Sequence, residues 1–132
     1  MEANPSLPGE TGKLGEVIAA NYLRRNGYEI LGANFFNKFG YRRGEIDVIA
    51  RDPESEEIAF VEVKTRKCDK NHPSNPEAAI TRSKYHKLSR VISDYLRKNK
   101  LEESDYRLDA ITVEIDHETS IARLRHLKNI YY

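Results

Sequence analysis

The sequence predicts a single α/β domain in which two helices pack on a mixed sheet of five strands. Two segments, 14–26 and 82–98, place apolar residues at helical spacing, and five other segments have the apolar patterns of strands. The first three strands suit an antiparallel meander, and the second helix then makes a right-handed crossover to a parallel strand. A chain of 132 residues, 39% hydrophobic and 33% charged, is large enough to bury one core.

The first helix is predicted from Leu14 to Asn26, and Gly27 after it is a residue type that often ends helices. Its apolar stripe is predicted to contain Leu14, Val17, Ile18 and Leu23. Residues 1–10 hold two prolines and a glycine among polar residues, so we expect a disordered segment there and a folded domain over 11–132. On spacing alone, Glu16 is an ordinary glutamate near a helix N-terminus, where the helix dipole favours it.

Strands are predicted over residues 28–36, 46–50, 58–66, 106–115 and 121–127. The second and third are joined by the turn sequence Asp-Pro-Glu-Ser, which centres a hairpin on Glu54 and Ser55. In that register Asp47 faces Glu62, and directly opposed Cβ atoms are about 4.5–5.5 Å apart. Like charges at such positions are destabilising unless a cation lies between them.

Alternation along the third strand places Glu62, Lys64 and Arg66 on one face. Paired carboxylates are hard oxygen donors that suit Mg²⁺ or Mn²⁺ and not zinc. Such an ion neutralises phosphodiester charge and activates a water, and a nearby lysine can orient that water or stabilise developing charge. The competing interpretation is a salt-bridged cluster on a sheet. Because burying several charges is costly, the pattern favours an active site.

Basic residues cluster in two places, although the net charge is only +1. The loop 37–43 combines basic and aromatic residues, a composition that contacts phosphates and stacks bases, and equally that of a solvated loop. Segment 82–98 is predicted to bury Tyr85, Leu88, Val91, Ile92, Tyr95 and Leu96 and to carry a basic outer face. A basic helix face is more often solvated than functional, and the excess of one sign here only raises the odds of a functional face.

Two further features concern the role of a charged residue in the fourth strand and the cellular compartment of the protein. Asp109, on the same face as Arg107 in a strand with apolar residues on both sides, is interpreted first as a buried structural partner and only second as catalytic. Cys68 is the single cysteine, which excludes an internal disulfide and is typical of a reducing cytoplasm. No signal-peptide pattern and no apolar run near the ~20 residues of a membrane helix is present, so we expect a cytoplasmic protein.

Several segments, in order along the chain, carry a family resemblance: GEVIAANYLRRNGYEIL, the Asn34-Phe35 pair, GEIDVIA, FVEVKTR, PEAAITRSKYHKL and YRLDAITVE. GEIDVIA followed by FVEVKTR resembles the motif of restriction-endonuclease-like, or PD-(D/E)xK, nucleases. More narrowly, the chain from about Gly15 to Tyr132 resembles the YraN family of bacterial proteins, a group similar to archaeal Holliday junction resolvases. The resemblance implies a restriction-endonuclease-like fold, a mixed β-sheet flanked by helices in the order α-β-β-β-α-β-β.

The resemblance also implies a site. Asp47 and Glu62 would bind Mg²⁺ or Mn²⁺, Glu16 would complete the metal site, and Lys64 would be the catalytic lysine. The leading hypothesis is therefore a metal-dependent endonuclease, a phosphodiester hydrolase that acts on DNA, in particular branched or structured DNA. The alternative is a nucleic-acid-binding module of the same fold with little or no cleavage. A homodimer is expected only by analogy with junction resolvases.

Contacts to nucleic acid are predicted for basic residues of the loop, the third strand and the second helix: Lys38, Arg42, Arg43, Arg66, Lys84, Lys87 and Arg90. Of these, the resemblance implies Arg66 and Lys84. The chain departs from the family after Asn34-Phe35, where Phe36 and Asn37 stand in place of the usual arginine. Arg42 and Arg43 are the candidates to replace it.

Overall fold

A computed structural model describes residues 8–36, 44–68 and 82–130, with backbone alone at 8–11 and 82–84. Its elements are α1 (Pro8–Arg25), β1 (Glu29–Phe36), β2 (Glu45–Arg51), β3 (Ile58–Lys67), α2 (Arg82–Lys98), β4 (Tyr106–Asp116) and β5 (Ile121–Leu127). This order confirms the predicted α/β class and the sequence of elements expected of a restriction-endonuclease-like fold. No helix in the described ranges is long and apolar enough to cross a membrane.

The five strands form one sheet in the order β1-β2-β3-β4-β5. The first three are antiparallel neighbours, β3 and β4 are parallel, and β5 returns antiparallel to β4. The predicted meander and the crossover to a parallel strand are therefore confirmed. The predicted hairpin register is also confirmed, because Ala50 pairs with Ala59 and Val48 pairs with Val61.

An apolar cluster covers each face of the sheet, so strands β2 to β4 are buried on both sides. The cluster on the α2 face includes Ile46, Ile49, Phe60, Leu88, Val91, Tyr95 and Leu108. The cluster on the α1 face includes Ala19, Leu23, Val48, Val61, Ile111 and Val113. Full burial of a side chain such as Phe60 contributes about 1.5–3 kcal/mol. The six apolar residues predicted to face inward from α2 are all buried or partly buried in the first cluster.

Helix α1 begins at Pro8, earlier than the predicted start at Leu14. Proline is favoured in the first turn of a helix because its fixed φ suits the helix and its missing N–H would have no helical partner. The last three residues of the predicted disordered segment therefore belong to α1, and residues 1–7 lie outside the described ranges. At its other end α1 closes as predicted at Gly27, whose φ of +86° is the left-handed conformation that glycine adopts readily.

The buried face of α1 differs from the predicted stripe. Leu14 and Val17 are 46% and 55% exposed, whereas the side that meets the sheet carries Ala19, Leu23 and Gly15. At Gly15 the helix lies so close to β3 that an added Cβ would overlap the Thr65 side chain. The prediction was wrong at Leu14 and Val17 because small residues, and not the largest apolar ones, allow this close approach.

A buried ion-pair network lies where β4 begins and β2 ends. The Arg107 guanidinium donates to Asp52 Oδ2 at 2.7 Å, to Asp109 Oδ1 at 3.0 Å and to the Tyr28 hydroxyl at 2.9 Å. Asp109 also lies 2.8 Å from His126 Nε2 and accepts from the Asn129 amide at 2.9 Å. Asp109 is therefore the buried structural partner that the sequence indicated.

Hydrogen bonding keeps both acids of this network ionised. Burial alone would raise the pKa of Asp109, but hydrogen bonds from His126, Arg107 and Asn129 hold that pKa below its ordinary value. The pKa of Asp52 is likewise lowered against the effect of burial, by the Glu54 amide and Arg107. The network is thus a compensated set of charges that joins β2, β4 and the segment after β5.

Candidate active site

The candidate site lies where β2 and β3 separate. Regular pairing of the two strands ends at Val48 and Val61. Beyond that point the Asp47 side chain, through Oδ2, accepts a hydrogen bond of 2.8 Å from the backbone N–H of Val63. A side-chain carboxylate thus takes the place of a ladder carbonyl on β2, which satisfies the amide and fixes Asp47 beside β3.

Asn34 connects this region to α1. Its φ of +54° is the left-handed conformation that asparagine tolerates better than most residues, and it lies in β1 between Ala33 and Phe35, which pair with Val48 and Ile46 of β2. In the amide orientation that satisfies both of its polar atoms, its side-chain nitrogen donates to Glu16 Oε1 at 2.8 Å and to Glu45 Oε1 at 2.9 Å. Glu16 is therefore held at the site and is not an ordinary surface glutamate.

We use the name acidic cluster for Glu16, Glu45, Asp47 and Glu62. Burial and the charge of Glu62 raise the pKa of Asp47 to about 8, and Glu16 and Glu45 add to the increase. The pKa of Glu16 is also raised, by burial and by Glu45, against the effects of Asn34 and Lys13. Glu62 itself is 7% exposed. The two carboxylates that the register placed opposite each other thus interact strongly, within a larger group of like charges.

The raised pKa of Asp47 gives the metal-free fold a definite dependence on pH. Between the ordinary value of 3.8 and about 8, the folded chain keeps a proton on Asp47 that the unfolded chain loses. The contribution of this group to the free energy of unfolding therefore falls as pH rises through this window and does not recover above it. When Asp47 is ionised and no cation is present, it destabilises the fold.

The remaining predicted site residues divide into three groups. Lys64 is exposed and shares a face of β3 with Glu62, and Arg66 on that face is partly exposed. On α2, Lys87 is partly buried and Arg90 is exposed. A Cβ added at Gly44, just before β2, would meet the Lys87 carbonyl at 3.2 Å, so this part of α2 lies near the start of β2. Lys38, Arg42, Arg43 and the side chain of Lys84 lie outside the described residues.

The donor set fits a hard divalent cation. Within the described ranges, no group of three or more Asp, Glu, His or Cys side chains is arranged to hold a metal ion. Mg²⁺, however, is usually bound by one or two carboxylates with waters or phosphates filling its other positions. Asp47 and Glu62 supply such a pair. Burial and the Glu62 charge raise the Asp47 pKa, and a cation would relieve the repulsion between the two carboxylates.

Sequence reasoning gave no role to two residues of this site, Asn34 and Glu45. Both lie inside segments that carried the family resemblance, so the signal was present in the sequence. Their function depends on the left-handed backbone at Asn34, which turns one amide toward α1 and β2 together. No periodic pattern indicates that geometry.

Comparison with known proteins gives a clear family assignment. The profile of a family described as "Uncharacterised protein family UPF0102" matches residues 15–113, which include Asn34 and the whole acidic cluster. The chain belongs to the UPF0102 family. UPF0102 is the YraN family, so the resemblance found in the sequence is confirmed.

Curated UPF0102 relatives match most of the chain. A UPF0102 protein of Syntrophus aciditrophicus is 41% identical over 108 residues, which cover 82% of this chain and 79% of the relative. One from Trichlorobacter lovleyi is 38% identical over 120 residues, with 91% and 88% covered. One from Caldicellulosiruptor saccharolyticus is 36% identical over 122 residues, with 92% and 97% covered. The similarity therefore extends over most of the length of these UPF0102 proteins.

Proposed function

We propose that this UPF0102 protein is a Mg²⁺- or Mn²⁺-dependent nuclease that hydrolyses phosphodiester bonds of DNA. The observation that supports this most directly is the position of Asp47. It is held by the Val63 amide beside Glu62, with its pKa raised to about 8, and Lys64 lies two residues further along β3. Carboxylates that repel each other and a nearby lysine match the needs of phosphodiester hydrolysis, in which negative charge must be neutralised.

The two charged groups of this sheet differ in a way that favours function for one of them. In the Arg107 network, hydrogen bonds lower the pKa values of Asp52 and Asp109, as a structural ion pair requires. In the acidic cluster, burial and neighbouring carboxylates raise the pKa of Asp47. A strongly perturbed acid beside like charges is typical of a functional site and does not help the fold.

Each residue then has a part in the proposed chemistry. Asp47 and Glu62 would hold the metal ion, with Glu16 close by. The bound ion would neutralise phosphodiester charge and lower the pKa of a water for attack. The Val63 amide orients Asp47, and the Asn34 amide orients Glu16. Lys64, exposed on the face of Glu62, orients the attacking water or stabilises charge that develops on the phosphate.

The resemblance to junction resolvases also suggests a substrate and an assembly for the proposed nuclease. Branched or structured DNA is the proposed substrate, and a homodimer is the proposed assembly. The single cysteine, Cys68, is the basis for proposing a reducing cytoplasm. These points rest on analogy and composition, whereas the hydrolytic chemistry rests on the site.

Incubation of the purified protein with linear duplex, single-stranded and branched DNA, and with RNA, tests the proposal. We expect at least one DNA form to be cut with Mg²⁺ or Mn²⁺ and to stay intact with a chelator. Asp47→Asn should abolish cutting, whereas Glu103→Gln, which removes an equal charge from an exposed position after α2, should not. If no nucleic acid is cut with either metal, the nuclease is rejected and the binding-module hypothesis takes its place.

A further inference from the structure

The acidic cluster is reached from both faces of the sheet. In β4, Ala110 pairs with Glu62 and belongs to the apolar cluster on the α2 face, so Glu62 and Lys64 extend from that face. Glu16 belongs to α1, which packs on the opposite face. Besides burial, the charges of Glu62 and Glu16 raise the pKa of Asp47, so both carboxylates lie near it. A substrate bound at the cluster is therefore within reach of side chains from both faces.

On the α1 side, the basic residue next to the cluster is Lys13. It precedes Glu16 by three residues, and Cβ atoms at that spacing on a helix are about 5–6 Å apart. Burial raises the pKa of Glu16, and the charge of Lys13 opposes that increase, so the ammonium lies near the carboxylate. Gly15, between the two residues, lies against the Thr65 side chain of β3. This turn of α1 is thus held at the end of β3 that carries the candidate site.

The ammonium of Lys13 can bind an anion that approaches from solvent. Lys13 is exposed, and Val17, one turn further along α1, is 55% exposed, so this side of the helix is open. Glu16 receives a hydrogen bond from the Asn34 amide and does not depend on Lys13 alone. A lysine ammonium has three donors, so an interaction with Glu16 leaves donors for a second partner.

We propose that Lys13 binds a phosphate of the DNA backbone on the α1 side of the acidic cluster, as a substrate-binding residue outside the metal site. The inference rests on the proposed nuclease function and adds a contact from the second face of the sheet. Lys64 extends from the α2 face and acts on the reacting phosphate. The two lysines thus contact the substrate strand from opposite faces, which positions the reacting phosphate at Asp47 and Glu62.

Electrostatics gives a reason for a cation at this position. The cluster contains four carboxylates, and the DNA backbone is itself negatively charged, so the approach of a substrate is opposed. A lysine at the solvent side of Glu16 reduces that repulsion where the backbone passes α1. Phosphate contacts position a nucleic acid without reading its sequence. Loss of Lys13 should therefore weaken binding to the same extent for DNA of any sequence.

Binding in a chelator tests Lys13 separately from cleavage. Fluorescence anisotropy with a labelled DNA duplex, repeated at several salt concentrations, gives the affinity and its dependence on salt. For Lys13→Gln we expect weaker binding and a salt slope smaller by about one unit, for one lost phosphate contact. Lys13→Arg keeps the charge and should keep the wild-type slope. Thermal melting checks the fold, which changes at this exposed position should leave intact.

A matched control is available at the other end of α1. Arg25 is exposed and lies in the last turn of the helix, where Gly27 packs near Pro53 of the β2–β3 turn. Arg25→Gln removes the same charge as Lys13→Gln, and we expect it to keep the wild-type slope. If Lys13 serves only as a surface partner of Glu16, the slope of Lys13→Gln does not change. That result, or an equal loss in the Arg25 control, would overturn the contact.

Cleavage with Mn²⁺ separates substrate binding from the chemical step. In single-turnover reactions Lys13→Gln should need several-fold more enzyme to reach half of its maximal rate, and that maximal rate should equal the wild-type value. Mn²⁺ binding should not weaken, because the variant removes a cation from beside the carboxylates. A lower maximal rate with unchanged half-saturation would place Lys13 in the chemistry and would overturn its role in substrate binding.

The Lys13 contact and the nuclease can fail independently. If Lys13→Gln binds DNA with the wild-type slope while wild type cuts DNA with metal, the contact is wrong and the proposed function stands. If the slope falls as expected but wild type cuts no nucleic acid with Mg²⁺ or Mn²⁺, the proposed function is wrong and the contact stands.

Discussion

Replacing Lys64 with alanine is expected to reduce the cleavage rate by ~10²–10³-fold while Mn²⁺ binding is kept. Lys64 shares a face of β3 with Glu62 but is exposed, so the fold does not depend on it. An amine that acts on developing charge stabilises the transition state more than the bound ground state. DNA binding should be kept as well, because the other predicted nucleic-acid contacts, such as Arg66 and Arg90, remain. Single-turnover cleavage with saturating enzyme measures the chemical step directly.

Two further variants sharpen this test of Lys64. Lys64→Arg should not restore the full rate, because a planar guanidinium replaces a compact ammonium. Lys67→Ala removes an exposed lysine from the opposite face of β3 and should cut like wild type. Cleavage by Lys64→Ala at the wild-type rate would show that the assigned chemistry is wrong even if the fold is right.

Replacing Arg107 with methionine is expected to lower the free energy of unfolding by about 3–5 kcal/mol. The change leaves Asp52 and Asp109 buried without the guanidinium that donates to both of them. Arg97→Met is a suitable control, because Arg97 is exposed and pairs with Asp94 on the surface of α2, a contact worth about 0–1 kcal/mol. Chemical denaturation at neutral pH measures both variants.

The effect of Arg107→Met should also depend on pH. In the wild type the folded-state pKa values of Asp52 and Asp109 are lowered, so their contribution is complete above the unfolded pKa and is lost as pH falls through the folded pKa. Without Arg107 this contribution is smaller, because only the Glu54 and Ser55 amides still lower the pKa of Asp52 and only His126 and Asn129 still lower that of Asp109. The difference between wild type and variant should therefore be largest at neutral pH and smaller at about pH 3. An equal difference at both pH values would argue against an electrostatic role for Arg107.

Much of the fold could be predicted because its local and long-range signals agree. The Asp-Pro turn and the alternation of β2 and β3 define one register, and that register places Asp47 opposite Glu62. The packing of α1 could not be predicted in the same way. The apolar pattern predicted that large residues such as Leu14 and Val17 are buried. The close approach of α1 to β3 depends instead on Gly15, which has no side chain and so adds nothing to that pattern.

The positions of site residues could be predicted where they lie in regular strands. They could not be predicted where they depend on irregular backbone. Alternation placed Glu62 and Lys64 on one face of β3. It also placed Arg107 and Asp109 on one face of β4, which indicated a buried ion pair. Glu16 needed the family resemblance, because its contact with the left-handed Asn34 leaves no periodic pattern in the sequence. The loop contacts predicted for Lys38, Arg42 and Arg43 lie outside the described residues and stay predictions.

The central claim is that Asp47 and Glu62 form a metal site and are not part of a salt-bridged structural cluster. It is tested most directly by the free energy of unfolding of wild type and Asp47→Asn near pH 8, measured by chemical denaturation in chelator and in Mn²⁺. In chelator the variant should be at least as stable as wild type, because an amide oxygen can still accept from Val63 and a repelled charge is gone. Mn²⁺ should stabilise wild type, by about 2.7 kcal/mol at a concentration one hundred times its Kd, and leave the variant nearly unchanged. A loss of several kcal/mol by the variant in chelator, with no effect of Mn²⁺ on wild type, would contradict the claim.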